Sequence, residues 1–458
     1  MVVIERCPTG ISGIDAMLNG GFPKGSIILL AGTPGAGKTT FAAKFIYEGG
    51  KRYNEAGVYL SFLESKYDFY RYMAALGMDF EELERKGLFT FIEGVQTQTT
   101  EGVEMSLKEF LRAIIETNAK RAVIDSVTAI TQIVGFRSSR EIIRNAIIAG
   151  LKPLNITAIL IAELPIGSSS VGYGVEEFLV DGVIILRSLI EGGVLIRKME
   201  IRKMRGSEIP RAEVYFDIAP NDGIRVYLQE KLEEIPAPSE ELVYEMPVKE
   251  LTYIFGTKLK RGTQAAIIAQ EGSAGLTIAL SIVIPFIIKY GGKLLIRSYS
   301  KSPHIINAII NDVLSSYKIT NVKLDVHIDS IQPASRPIYI LGYQARERDL
   351  KLKPDFSIID SLNQLPILHN WKDFLTLHSD NILTRRRLNI TSFYVYYERR
   401  ERPLPVPLDI YDKVIKVVPE VEHNCYIMRS FMTGVSPYLR PVKICFTEKG
   451  VKWSVASQ

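Results

Sequence analysis

Along the first half of the chain, short apolar runs alternate with segments of helical spacing. Ser26-Ile27-Ile28-Leu29-Leu30-Ala31 carries no charge and is bounded by glycines, which predicts a strand buried on both faces. Phe41, Ala42, Phe45 and Ile46 then recur at i, i+1, i+4 and i+5, which predicts a helix with one apolar stripe. Further strand-like runs are Val58–Phe62, Leu88–Ile92, Ala122–Ile124, Ala158–Ala162 and Gly182–Leu186, with helical patterns over Lys108–Thr117 and Ser139–Leu151. Such alternation predicts an α/β fold, a mostly parallel sheet covered by helices on both faces.

The pattern then repeats. Leu232–Glu241 is acidic, bears two prolines and has no apolar period, so it reads as a linker. On either side of it Ala122-Val123-Ile124-Asp125-Ser126-Val127 answers to Ser357-Ile358-Ile359-Asp360-Ser361-Leu362, with the aspartates 235 positions apart. Asn155-Ile156-Thr157 answers to Asn389-Ile390-Thr391, 234 apart, and Val180-Asp181-Gly182-Val183-Ile184 to Tyr411-Asp412-Lys413-Val414-Ile415, 231 apart. Landmarks in one order at nearly constant spacing predict a duplicated domain rather than a short-period solenoid. The expected organisation is a first domain over 1–231, a linker over 232–248 and a second domain over 249–458.

Composition narrows the class. With 458 residues, 47% apolar and 23% charged, the chain resembles a soluble globular protein of two or three domains. Three cysteines, Cys7, Cys425 and Cys445, are too few and scattered for a disulfide framework or a zinc site, and that usage fits a reducing, cytoplasmic interior. The N-terminus shows no signal-peptide pattern. The longest uncharged run, Gly272 to Ile288, is 17 residues long and contains Pro285, so a buried helix is expected rather than a membrane span. Net charge divides unevenly: 27 Lys+Arg against 30 Asp+Glu up to Pro236, and 29 against 21 beyond it. The basic second half permits an acidic partner without demanding one.

Chemistry concentrates after the first strand. Gly32-Thr33-Pro34-Gly35-Ala36-Gly37-Lys38-Thr39 is a complete G-x-x-x-x-G-K-[ST] phosphate loop, followed by Thr40. Its glycines let backbone N–H groups face phosphate oxygens, and the helix start adds a favourable dipole. Lys38 would neutralise the β- and γ-phosphates of ATP, and Thr39 would offer its hydroxyl to Mg²⁺. Asp125 ends a central strand on the ligand-binding edge of such sheets, placing it to hold Mg²⁺ partly through water. Glu64, just past Val58–Phe62, is the candidate to activate water. In the second half the loop reads Gln270-Glu271-Gly272-Ser273-Ala274-Gly275-Leu276-Thr277, with Leu276 in the lysine position. That half is expected to bind ATP poorly and not to hydrolyse it.

Together these residues resemble the KaiC-like branch of the RecA superfamily of ATPases over nearly all of residues 4–228. Pro8-Thr9-Gly10-Ile11-Ser12-Gly13-Ile14-Asp15 with Asn19-Gly20-Gly21-Phe22-Pro23-Lys24-Gly25-Ser26 is similar to the family's entry signature. Ala75–Phe80 resembles its segment after the first crossover, Tyr173–Asp181 its late signature, and Lys203-Met204-Arg205-Gly206-Ser207 its K-L-R-G-T element. The resemblance implies two tandem RecA-like domains and ATP held between neighbouring subunits of a homo-oligomer, commonly a hexameric ring. By the same resemblance Lys203, Met204 and Arg205 would serve the neighbour's site. The chain departs from the family where two adjacent acids usually follow this strand: Ser61-Phe62-Leu63-Glu64 has Leu63 in the first acidic position, which implies slow or absent turnover with ATP binding kept, and leaves a non-catalytic ATP-binding scaffold as an alternative.

In the second half Ser298-Tyr299 would replace the acids, and Ile427-Met428-Arg429 would keep only the arginine of the K-L-R-G-T element. Arg385-Arg386-Arg387 and Glu398-Arg399-Arg400-Glu401-Arg402 read as solvated faces or subunit contacts. Phe393, Tyr394, Tyr396 and Tyr397 read as sheet filling. A recombinase-like reading would make Gly167–Gly172 a DNA-facing loop, but nucleic acid is not the favoured partner. Docking of a protein partner through the second domain is.

Overall fold

The computed structural model describes residues 4–94, 99–164, 179–191, 193–228, 234–319, 322–398, 407–420, 424–431 and 440–456. The chain divides into two compact units, Met1–Leu228 and Gln229–Gln458.

The first unit is built on a nine-stranded sheet. From one edge the strands run Phe89–Glu93, Gly57–Ser61, Arg121–Asp125, Thr157–Glu163, Ile27–Gly32, Gly182–Glu191, Val194–Met204, Glu213–Ala219 and Gly223–Tyr227. The first six are mutually parallel and the last three are added antiparallel. Pleating sends alternate residues to opposite faces. Ile28 and Leu30 therefore join one core with Phe41, Ala42, Phe45 and Ile46 of the helix Lys38–Tyr53, while Ile27, Leu29 and Ala31 join the core on the other face.

The second unit repeats this order strand for strand: Asp325–Ser330, Lys293–Ser298, Phe356–Asp360, Thr391–Glu398, Gln264–Gln270, Lys413–Pro419, Cys425–Phe431, Val442–Thr447 and Gly450–Val455. Again six are parallel and three antiparallel. Even the entry ribbon recurs. Arg6–Cys7 pairs with Phe22–Pro23 in the first unit, and Val243–Glu245 with Lys258–Lys260 in the second. The latter ribbon lies partly inside the expected linker, so 243–245 belongs to the second domain. Asp181 and Asp412 act alike, each accepting a backbone N–H of the strand that leads to its loop: Ile27 N at 2.9 Å and Gln264 N at 2.7 Å.

Four expectations need correction. Cys425 and Cys445 face each other on adjacent antiparallel strands and form a disulfide. Two cysteines 20 positions apart look scattered in sequence but meet wherever a hairpin folds back, so cysteine usage no longer argues for a reducing compartment. Arg385 and Arg386 are buried rather than solvated, because Asp349 and Asp412 neutralise them at 2.7 and 2.9 Å. Strand register places Ser298 beside Asp360 as Ser61 lies beside Asp125, so Ser300 and Lys301, not Ser298-Tyr299, stand where Leu63 and Glu64 do. Likewise Phe431 lies opposite Val414 as Lys203 lies opposite Val183. By register the second-unit counterpart of Lys203 is thus Phe431, which carries no charge, while Arg429 lies opposite Lys416 as Glu200 lies opposite Ile185.

The run from Gly272 folds as the buried helix Gly275–Tyr290, and no helix among the described residues is long and apolar enough to cross a membrane. Phe393, Tyr394 and Tyr396 are fully buried in the sheet. Gly167–Gly172, Tyr173–Phe178 of the late signature and Arg399–Arg402 lie outside the described residues.

Candidate functional site

Where the Ile27–Gly32 strand ends, the chain turns through Gly35 (φ +73°) and Gly37 (φ +98°) before entering the Lys38–Tyr53 helix. Only glycine takes such left-handed positions in succession without strain. No side chain caps this helix start, whereas Ser65, Asp79, Thr99 and Ser126 cap the helices that follow them. Its first amides are thus left open toward an anion.

A cavity of about 870 Å³ opens there, lined by Pro34, Gly35, Gly37, Lys38, Thr39 and Thr40. Glu64, Asp125 and Glu163 add carboxylates to its lining, and Leu63 lies beside Glu64 on the same wall. The sheet brings these residues together because every parallel strand ends on this edge. Thr33 and Ala36 serve the turn instead: Thr33 lends its carbonyl to Lys38, and the Ala36 side chain is buried in the core.

Lys38 is nearly buried, and its Nζ donates to Gly32 O and Thr33 O at 3.0 Å and to Glu163 Oε2 at 2.9 Å. Thr39 Oγ1 donates to Asp125 Oδ2 at 3.0 Å, and the buried Tyr59 hydroxyl donates to the same oxygen at 2.8 Å. Burial raises the Asp125 carboxyl above the usual carboxylate range, against the Tyr59 and Thr39 hydrogen bonds that lower it. Two hard oxygen donors this close at the mouth of the cavity suit Mg²⁺, which favours carboxylate and hydroxyl oxygen alongside water and phosphate.

Ser61 Oγ accepts the N–H groups of Leu63 (3.3 Å) and Glu64 (2.9 Å), fixing the turn that aims Glu64 inward. Glu64 is half-buried, and its Oε2 is buried with no hydrogen-bond partner among the described residues. Burial, then the negative charges of Asp125 and Asp68, raise its pKa above the ordinary value. A carboxylate so placed accepts a proton more readily than one in water. Leu63 is 62% exposed on the cavity wall, so no packing role explains a leucine there.

Lys203, Met204 and Arg205 do not line this cavity. Lys203 pairs with Val183 near the start of the neighbouring Gly182–Glu191 strand, which runs antiparallel to its own, and its Nζ donates to Val180 O at 2.8 Å. Arg205 lies 3.5 Å from Asp181, and Met204 is buried against Gly182. All three therefore sit at the sheet edge opposite the phosphate loop.

Sequence reasoning missed Glu163, Tyr59 and Ser61. Glu163 was within reach of it: a charged residue ending Thr157–Glu163, the strand next to the loop's own, must project at the loop. Tyr59 gives no such signal, since one tyrosine in an apolar strand looks like core.

The family model described as "ATPase: KaiC" matches residues 7–231. Over 235 residues the chain is 37% identical to the circadian clock oscillator protein KaiC of Parathermosynechococcus lividus, covering 49% of this chain and 42% of that one. It is 34% identical over 237 residues to the KaiC of Parasynechococcus marenigrum, covering 49% and 45%. To that of Thermostichus vulcanus it is 35% identical over 235 residues, covering 49% and 44%. The matched stretch thus spans less than half the length of these relatives.

Proposed function

Because residues 7–231 form a KaiC-like ATPase domain of the RecA superfamily, we propose that this chain binds and slowly hydrolyses ATP in its first unit, at an interface between identical copies. The observation that supports this most is the convergence of Lys38, Thr39, Asp125 and Glu64 on one cavity at the end of the phosphate loop. Open amides of the loop and helix start would hold the phosphates, with Lys38 on the β- and γ-oxygens. Thr39 and Asp125 would hold Mg²⁺, which supplies charge neutralisation on the phosphates. Glu64 would orient a water and take its proton as the water oxygen bonds to the γ-phosphorus and the bond to the bridging β–γ oxygen breaks. ADP then leaves with the bridging oxygen.

Lys203 and Arg205 would come from the neighbouring copy and stabilise charge developing on the transferred phosphoryl group. Their place on the far edge of the sheet, away from their own loop, supports a head-to-tail contact, the kind that closes into rings. We assign no phosphate-binding role to the second unit, which has Leu276 for the lysine and Phe431 opposite Val414. Its exposed surface is left for scaffolding or for docking a protein partner. The circadian role in the relatives' names belongs to them and is not carried over.

A mixing experiment tests the shared site. Lys38→Ala chains and Arg205→Ala chains are each expected to hydrolyse ATP slowly or not at all, and their mixture to recover part of wild-type turnover. Recovery arises where an intact loop meets an intact Arg205 across an interface. A mixture no more active than its components contradicts the shared site.

A further inference from the structure

The second unit keeps the frame of a nucleotide site and fills it with its own side chains. Asp360 ends its strand as Asp125 does, and Ser298 Oγ accepts the N–H groups of Ser300 (3.3 Å) and Lys301 (3.0 Å), just as Ser61 serves Leu63 and Glu64. At the position of cavity-lining Ala162, however, the second unit has Tyr397: Ala162 pairs with Ala31, and Tyr397 with Ala269, on the strands that lead to the two loops. A large ring thus stands where the first unit leaves open space.

That ring lies on the loop. A Cβ added at Gly275 would come within 3.0 Å of Tyr397 Cε1, closer than side chains pack. The Tyr397 hydroxyl accepts the N–H of Leu276 at 3.3 Å, one of the helix-start amides that a phosphate oxygen would otherwise meet. It also donates to Asp360 Oδ1 at 2.9 Å. Lys301, in the place of Glu64, sets its Nζ 2.8 Å from Asp360 Oδ2 and 5.0 Å from the centre of the Tyr397 ring. Ser298 Oγ and Ser361 Oγ donate to the same Oδ2 at 2.8 and 3.2 Å.

We propose that Tyr397 and Lys301 are a built-in substitute for nucleotide and cation, holding the second site closed and folded with no ligand. Asp360 is fully buried, and a buried carboxylate without a counter-charge is strongly destabilising. In the first unit the cations that would face the corresponding aspartate are Lys38 and a metal. In the second, Leu276 offers none, and the positive charge has moved to the neighbouring strand end. The loop has changed with it: Ala274 and Gly275 begin the helix without left-handed torsions, and of that turn only Gly272 has a positive φ (+81°). The substitution of side chains for ligand is independent of whether the first unit turns over ATP.

Two measurements on the full chain decide it. The first is the number of Mg²⁺–mantATP molecules bound per chain, in wild type and in Lys38→Ala. One in wild type and none in Lys38→Ala is expected, whereas one retained in Lys38→Ala overturns the closed second site. None in either leaves the second site closed and removes the first-site proposal instead. The second is thermal unfolding of Lys301→Met with and without Asp360→Asn. Lys301→Met is expected to lower the midpoint of the second unit by about 5 °C, and adding Asp360→Asn to restore most of the loss, because it removes the charge Lys301 neutralises. No loss in Lys301→Met, or no restoration by Asp360→Asn, overturns the substitution.

Discussion

Lys38 is engaged by Glu163, and this pair makes a testable statement about nucleotide binding. Nζ and Oε2 are 2.9 Å apart, with the lysine side chain 6% and the glutamate side chain 35% exposed. For Lys38 to serve a γ-phosphate, the phosphate must settle beside the Glu163 carboxylate, and two like charges ~4 Å apart at an effective dielectric near 20 repel by about 4 kcal/mol. Glu163 is partly in water and Mg²⁺ offsets the phosphate charge, so about a quarter of that, roughly 1 kcal/mol, should survive as measurable repulsion. Glu163→Gln keeps the side chain's shape and removes the charge. It is expected to tighten Mg²⁺–ATP binding about fivefold at fixed ionic strength, while Mg²⁺–ADP, which lacks the γ-phosphate, changes less than about twofold on the same reasoning. Titration of wild type and variant with mantATP and mantADP reads both. Equal tightening for the two nucleotides, or weaker ATP binding in the variant, refutes the proximity argument.

Two other outcomes follow from the same geometry. Asp125→Asn should raise the Mg²⁺ concentration needed for half-maximal ATPase by about tenfold or more, since it removes the carboxylate bonded to Thr39; an unchanged Mg²⁺ requirement in an Mg²⁺ titration would exclude it as a metal-side residue. Leu63→Glu places an acid at an exposed cavity position and should speed single-turnover hydrolysis by about tenfold, below the roughly 10²-fold of a fully positioned base because the position is open to water. A variant no faster than wild type places the base entirely at Glu64.

Fold and loop were legible because each rests on local pattern. An uncharged strand, a glycine-rich turn and a helix stripe predict one another over 30 residues, and Asp125 follows from ending a strand on the same edge. The duplication was legible from spacing alone, and the matched strand order of the two units agrees with it. What escaped depends on contacts between distant strands. Glu163 reaches Lys38 across 125 positions and Tyr59 reaches Asp125 across 66. Cys425 meets Cys445 only through strand register. Register also moved the counterpart of Glu64 from Tyr299 to Lys301, which turned an apparent loss of acids into the gain of a cation. Arg385 and Arg386 look like a surface charge run until Asp349 and Asp412 are brought beside them.

Glu64 is the group proposed to take the proton in the cavity that Lys38 also lines. The direct measurement is single-turnover hydrolysis of prebound Mg²⁺–ATP against pH, in wild type and Glu64→Gln. Burial raises the Glu64 pKa in the folded site, and only the deprotonated form can act as base. The wild-type rate should therefore climb as pH rises through that elevated pKa and level off above it. Glu64→Gln should bind ATP as well as wild type, hydrolyse it about 10²-fold slower or less, and lose the rise with pH. A variant that keeps both the wild-type rate and its pH profile would contradict the central claim.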